Sequence, residues 1–170
     1  MEFYCLMVLT GQEESFKKEA ADKLSEEFAG TKFYFFKRKL RTNQGKYFDQ
    51  PLFPGYLFFE VEELSEKFFD IIKRVKGFVK VLLKNDQPTK ICGASLEELK
   101  TYIRNGETWG ISKVQFLPGQ NIRVISGPLK GLEGNIYKIN KKKKHITVIS
   151  SLSPDGKKFD LLYEDAVVVE

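Results

Sequence analysis

The sequence predicts an α+β protein: an α/β sandwich joined by a linker to a small β-barrel of about five strands. Three observations predict it. Up to Arg104, runs of β-forming residues alternate with stretches whose apolar side chains recur at helical spacing. Asn105 to Gln115 then holds Gly106, Gly110 and the chain's single tryptophan, with no periodicity. From Phe116 only short alternating runs remain, separated by turn residues. The expected division is therefore 1–104, a linker over 105–115, and 116–170.

Each element has its own warrant. Phe3 to Leu9 is a short apolar run and reads as a strand, turned by Thr10-Gly11-Gln12. Phe16, Ala20 and Leu24, with Phe28 beyond, form one helical stripe that Glu13 and Glu14 open and Gly30 ends. Lys32 to Leu40 reads as a strand with Phe33 and Phe35 alternating against Tyr34 and Phe36. Arg41 to Gln50 is polar, contains Gly45, and reads as a mobile loop. After the Tyr56 strand, a helix over Ser65 to Arg74 buries Phe68, Phe69, Ile71 and Ile72. Val79 to Leu83 makes a further strand. A third helix spans Ser95 to Arg104, with Ser95 as N-cap and Leu96, Leu99 and Ile103 inward. In the barrel the strands fall at Gln120 to Ile125, Asn135 to Ile139, Ile146 to Ile149, Phe159 to Leu162 and Val167 to Val169.

The stretch Pro51-Leu52-Phe53-Pro54-Gly55-Tyr56-Leu57-Phe58-Phe59-Glu60-Val61 is the most aromatic in the chain. Pro51 and Pro54 lack a backbone donor and Gly55 suits a tight turn, so the strand begins at Tyr56. Leu57, Phe59 and Val61 then share one face, and Tyr56, Phe58 and Glu60 the other. Phe53 and Tyr56 flank a Pro-Gly corner at the lip of the sheet. Aromatics at such a lip are expected to be half exposed and to form a protein-binding patch.

Composition narrows the function. At 42% hydrophobic residues with 15 phenylalanines, 170 residues suffice for a real core. A charge of +5 and a pI near 9.0 favour polyanions or acidic surfaces as partners. Cys5 and Cys92 share no metal or redox spacing and fit a reducing cytosol. No signal peptide is evident after Met1, and no apolar run reaches membrane-spanning length, so a cytoplasmic protein without a membrane partner is expected. No catalytic or metal site is predicted. His145, the only histidine, sits within a lysine run, Cys5 lies in a hydrophobic strand, and no phosphate-cradling or dinucleotide loop is present. The acid pairs Glu62-Glu63 and Glu97-Glu98 are explained as helix starts. The chain reads as a binding protein, not an enzyme, with no cofactor.

Two basic features stand out. Between Thr31 and Phe48 lie Lys32, Lys37, Arg38, Lys39, Arg41 and Lys46 and no acid. Lys141-Lys142-Lys143-Lys144 occupies a hairpin tip, within a segment from Phe116 to Glu170 that carries nine basic and six acidic residues. Both are candidate nucleic-acid contacts of the backbone-binding kind; a charge-guarded strand edge and a solvated turn are the plainer readings.

Pro118-Gly119-Gln120-Asn121-Ile122-Arg123-Val124-Ile125-Ser126-Gly127-Pro128-Leu129-Lys130-Gly131-Leu132-Glu133-Gly134 resembles a KOW motif, the SH3-like barrel signature. Phe3-Tyr4, Thr10-Gly11-Gln12-Glu13 and Leu52-Phe53-Pro54-Gly55-Tyr56 together resemble an NGN domain. In order and spacing almost the whole chain is similar to the NusG family of transcription elongation factors. The resemblance implies that the NGN domain binds the clamp helices of the RNA polymerase β′ subunit through Phe53 and Tyr56, with Tyr4 and Phe58 as further candidates, and favours processive elongation and antitermination. It implies that the KOW domain recruits a further partner (ribosomal protein NusE, the Rho terminator or RNA), with Leu129 and Leu152 at the contact positions. A monomer is expected. Phe3 replaces the usual opening tryptophan, the Pro51-Leu52-Phe53-Pro54 lead-in is closer to RfaH-type paralogues, and the Lys141 to Lys144 run is similar to LoaP-type antiterminators that bind an RNA hairpin. These departures favour a specialised, operon-directed factor. The alternatives are the general factor, which also serves Rho-dependent termination and transcription-translation coupling, and a ribosome-associated KOW protein. An RfaH-like refolding of the barrel is disfavoured by the Val, Ile and Gly of Gln120 to Val169.

Overall fold

A computed structural model of the chain describes residues 1–119, 121–152 and 156–166. In chain order its elements are β1 (Glu2–Val8), α1 (Glu13–Leu24), β2 (Lys32–Tyr34), β3 (Lys37–Arg41), β4 (Tyr47–Pro51), β5 (Tyr56–Val61) and α2 (Glu66–Ile72). There follow β6 (Phe78–Val81), β7 (Leu83–Lys84), β8 (Gln87–Pro88), α3 (Gly93–Arg104), β9 (Thr108–Trp109) and β10 (Ser112–Phe116). The chain continues with β11 (Ile122–Ser126), β12 (Ile136–Asn140), β13 (His145–Ile149) and β14 (Lys158–Asp165). Two compact units emerge, Met1–Phe35 with Phe53–Leu96, and Phe36–Leu52 with Glu97–Glu170.

The first unit is a sheet in the order β2-β5-β1-β6, joined by the small β7-β8 pair. β1 runs antiparallel to β5 with Tyr4 opposite Phe59 and Cys5 opposite Phe58. Because side chains alternate, one face gathers Tyr4, Leu6, Val8, Leu57, Phe59 and Val61. These form one core with Phe16, Ala20 and Leu24 of α1 and Phe68 and Ile72 of α2. The stripe read in α1 is thus the buried one, although the helix stops at Leu24 rather than at Gly30. In α2, Ser65 caps the helix through its side chain, which accepts the Phe68 N–H. Phe68 and Ile72 are buried there, while Phe69 and Ile71 stay half-buried at the margin.

The second unit holds a sheet in the order β4-β3-β9 and a five-stranded sheet in the order β11-β10-β14-β13-β12. Three expectations are corrected. The strand expected over Lys32 to Leu40 is two strands in two different sheets, interrupted at Phe35-Phe36. Both phenylalanines are buried, 4% and 2% exposed, where alternation in one strand would have split them between two faces. The polar stretch expected as a loop closes a hairpin, with β4 pairing to β3 from Lys37↔Pro51 to Arg41↔Tyr47. Third, α3 begins at Gly93, so Ser95 lies inside its first turn and is not the N-cap.

Within the stretch read as aperiodic lie β9 and most of β10. Trp109 on β9 is 1% exposed. It packs edge-on against Tyr102, with centroids 4.6 Å apart, and also meets Phe36 and Phe159. Gly127, at φ 95°, shows why a Gly-Pro turn is needed here: a Cβ on it would sit 2.5 Å from the Ser112 Cα. The strand expected at Val167 to Val169 lies outside the described residues, as does Gln120.

Candidate functional sites

The Pro-Gly corner is built from both ends. Gly55, at φ 82°, gives its carbonyl to the Val8 N–H at 2.8 Å and its own N–H to the Glu13 carboxylate at 2.8 Å. The other oxygen of Glu13 accepts the Gly11 N–H at 2.8 Å. Glu13 is only 4% exposed. A residue read as a helix-start acid therefore ties the first turn of α1 to the corner forty-two residues on. Nothing in the local sequence signals that, because its partner is a distant backbone amide.

Of the four corner aromatics, the structure brings three together. Phe53 packs edge-on against Phe58, with centroids 5.6 Å apart, and Tyr56 shares that face of β5 by alternation. Phe53 is 7% exposed and Phe58 4%, so the half-exposure expected of Phe53 is absent; its ring braces the corner from beneath. Tyr56 is half-buried and reaches solvent. Tyr4 lies on the opposite face, stacked on Phe59 at 5.6 Å within the core, its hydroxyl donating to Glu2 at 2.8 Å. Met7, directly opposite Tyr56, and Tyr34, opposite Phe58, are half-buried neighbours on the Tyr56 face. Only strand register could have found them.

The cations of β3 divide by alternation. Lys37, Lys39 and Arg41 point to one side of the hairpin and Arg38 to the other. Arg38 sits 5.8 Å from the centre of the Phe159 ring and donates to Gln50 at 3.2 Å. Burial lowers its pKa, partly offset by Asp160. Lys39 lies 5.6 Å over the exposed ring of Tyr47.

The lysine run forms the β12-β13 turn. Its members are not equivalent. Lys141 sits 4.4 Å over the Phe116 ring. Lys144, at φ 55°, pairs with Asp165 and lies over Tyr163. Lys142 and Lys143 are exposed, and among the described residues neither ammonium has an ion-pair partner. On the same sheet Lys158 covers Tyr137, which is 57% exposed, at 3.9 Å. The hydrophobic contact pair is uneven too: Leu129 is fully buried, with its N–H bonded to Ser112 Oγ at 3.0 Å, whereas Leu152 is half-buried.

One polar cluster escaped the sequence altogether. Glu98, 9% exposed, accepts the Tyr102 hydroxyl at 2.7 Å and the Ser151 N–H at 2.9 Å, and bonds the Ser151 hydroxyl as well. This joins α3 to the turn after β13. Among the described residues no group of three His, Cys, Asp or Glu side chains is placed to hold a metal, and no helix is long and apolar enough to cross a membrane. His145 Nδ1 lies 3.8 Å from Asp160 and makes no hydrogen bond.

Comparison with known proteins gives the family and the fold. The family model described as transcription termination factor nusG matches residues 1–100, and the KOW motif matches residues 118–148. The transcription termination/antitermination protein NusG of Xylella fastidiosa (strain 9a5c) is 25% identical over 121 residues, covering 65% of this chain and 64% of that protein. Its Pseudomonas aeruginosa counterpart is 26% identical over 113 residues, covering 65% and 62%. The match thus spans just under two thirds of these relatives' length. A solved structure of Thermotoga maritima NusG, concerned with its domain interaction, shares the fold at a TM-score of 0.59 and 18% identity, covering 95% of this chain and 93% of that one. With a family match over more than half its length, the chain belongs to the NusG family.

Proposed function

We propose that this chain is a transcription elongation factor that binds the β′ clamp helices of RNA polymerase through residues 1–104 and a second partner through residues 116–170. The observation that carries this reading is the NusG match over the first hundred residues followed, in order, by the KOW match. Factors of this kind act by binding, not by catalysis. The Pro-Gly corner supplies the polymerase contact. Tyr56 meets the partner and the buried Phe53 and Phe58 hold it in place, which gives the aromatic anchor of a hot spot a rigid base. The cations Lys37, Lys39 and Arg41 on the hairpin face meet nucleic acid near the polymerase cleft.

For the second partner, the basic β12-β13 turn favours a specialised antiterminator that engages a structured RNA over the general factor engaging NusE or Rho. Charge supplies the affinity, and a hairpin tip supplies a shape that fits a structured RNA.

The deciding experiment measures binding of the full chain to isolated β′ clamp helices. Tyr56→Ala should weaken it by about 2 kcal/mol, the ordinary scale of an aromatic hot spot, while the chain stays folded. Phe53→Ala should weaken it and lower stability together, because Phe53 is buried. Unchanged affinity in Tyr56→Ala would remove the corner from the interface.

A further inference from the structure

We infer that the pocket between the end of α3 and the turn at residues 127–131 is a binding site for a phosphate monoester group, with Arg104 and Lys130 as its charges. The group belongs either to free phosphate or to the phosphorylated end of a nucleic-acid strand. The site is independent of the clamp-helix reading, whose corner aromatics lie in the first unit.

The pocket is lined by Thr101, Arg104 and Asn105 at the end of α3 and by Gly127, Lys130 and Gly131 in the turn after β11, all within the second unit. Two contacts hold these segments together. A Cβ on Gly131, at φ 92°, would sit 3.0 Å from the Thr101 methyl, so glycine is what lets the turn come this close to the helix. Asn105 donates its side-chain N–H to the Pro128 carbonyl at 2.9 Å, which fixes the last turn of α3 against the loop. The Thr101 hydroxyl donates to the Glu97 carbonyl at 3.1 Å and accepts an Arg104 N–H at 3.0 Å. One edge of the guanidinium is thereby held, and its other donors are directed by that anchor.

The lining is that of an anion site. It holds two cations, no acid and no apolar side chain. Both cations are exposed, and neither has an ion-pair partner among the described residues. The acid in the turn, Glu133, is already committed, since its carboxylate accepts the Gly131 N–H at 2.8 Å. Carbonyls at the end of α3 are occupied as well: Thr101 accepts the Asn105 N–H at 3.1 Å and Ile103 the Gly106 N–H at 3.0 Å. A solvated helix end would explain Arg104, because a cation there complements the dipole. It does not explain Lys130, which a separate turn brings to the same pocket. At about 280 Å³ the pocket is small for an organic ligand and lacks the apolar walls such a ligand needs, so size and lining together select a compact anion. Two cations without an acid match a phosphate monoester, whose charge approaches about −2 above a second pKa near 6, better than the single charge of a backbone phosphodiester. The arginine fork suits two phosphate oxygens, and lysine meets the group as a point charge.

The test follows backbone amide shifts of the full chain by NMR while inorganic phosphate replaces chloride at constant ionic strength. Phosphate should shift the Gly127, Lys130 and Gly131 amides saturably, and bind more tightly above about pH 7 than below about pH 5.5, where the second proton returns. Lys130→Gln and Arg104→Gln should each weaken binding about fivefold, the upper end for one exposed charge pair, and together abolish it. Arg104→Lys keeps the charge and loses the fork, so it should fall between wild type and Arg104→Gln. Lys130→Gln should leave the urea midpoint unchanged, which separates lost binding from a lost fold. A second arm compares one oligonucleotide carrying a 5′-phosphate with the same strand carrying a 5′-hydroxyl. A preference for the phosphorylated end that disappears in Lys130→Gln assigns the pocket to strand ends; equal binding of the two strands, with inorganic phosphate still bound, assigns it to free phosphate. Absence of a saturable phosphate shift would overturn the site, and so would a shift that survives both substitutions. Tyr56→Ala should bind phosphate like wild type, so failure here leaves the clamp-helix reading untouched.

Discussion

Replacing Tyr102 by Phe should cost the second unit roughly 2–3 kcal/mol of stability, a loss traceable to single atoms. The Tyr102 ring is 1% exposed and packs edge-on against Trp109 at 4.6 Å and Phe36 at 5.6 Å. Phenylalanine keeps those contacts and deletes only the hydroxyl. That hydroxyl donates to Glu98 at 2.7 Å and lies 3.1 Å from Ser150 Oγ. A phenol has one proton, so with a carboxylate taking it the serine hydroxyl is the donor in the second bond. A bond to a charged acceptor contributes about 1.5–3 kcal/mol. Ser150 is fully buried and would lose a partner as well. Its remaining bond, from the Leu152 N–H at 3.2 Å, holds the turn and limits the further loss.

The assay is urea denaturation followed by Trp109, the only tryptophan and part of the same cluster. At an m-value of about 2 kcal/mol per molar, the midpoint should fall by roughly 1 M. Glu98→Ala should fall at least as far, because it strands the Tyr102 hydroxyl and the Ser151 amide. The double variant should lose less than the sum, by roughly 1 kcal/mol or more, since both substitutions break the same bond. A Tyr102→Phe midpoint equal to wild type would show that the carboxylate is not bonded where the structure puts it.

Three further outcomes are expected. Burial pushes the Cys5 thiol from 9.0 up to about 12, and burial with the bond to Glu2 pushes the Tyr4 hydroxyl from 10.0 up to about 12. Both stay protonated in the folded chain where the unfolded chain would ionise, so stability should be level below pH 9 and fall from there towards 12, as urea midpoints across that range will show. By the same burial a thiol reagent at neutral pH should titrate Cys92 alone; two reactive thiols before denaturant would contradict it. In the lysine turn, Lys142→Ala with Lys143→Ala should remove most affinity of the full chain for an RNA hairpin, and Lys141→Ala with Lys144→Ala less, since those two ammoniums already face Phe116 and Asp165. Equal losses in competition binding would show that only total charge matters.

What the sequence made legible follows from the range of the signal. The stripe of α1, the alternation of β5 and the cap of α2 are set by residues within a turn or two of each other, and each was readable. The β3-β4 hairpin was not, because its β4 strand is exposed along nearly its whole length and so carries no apolar alternation. Glu98 was unreadable for another reason. An acid at the start of a helix is ordinarily solvated, and burying this one depends on the Tyr102 hydroxyl together with Ser151, fifty-three residues away. Trp109 was noticed but could not be placed, since its neighbours come from α3, β14 and the residue before β3.

The same distinction governs the candidate sites. Counted along the chain, Lys37, Arg38, Lys39 and Arg41 are one basic run and Lys141 to Lys144 another. In the fold, strand alternation turns Arg38 away from its neighbours and onto an aromatic ring, while turn geometry commits Lys141 and Lys144 to partners within their own unit. A charge already paired has less to gain from a phosphate, because binding must first break what it has. The number of cations in a run therefore overstates an interface, and the exposed cations with no ring or ion-pair partner among the described residues define it. On the turn that criterion selects Lys142 and Lys143 over Lys141 and Lys144. At the Pro-Gly corner the equivalent criterion, reach to solvent on a braced base, selects Tyr56 over Phe53. In each case local composition marks the region, and long-range packing chooses the side chains that can act.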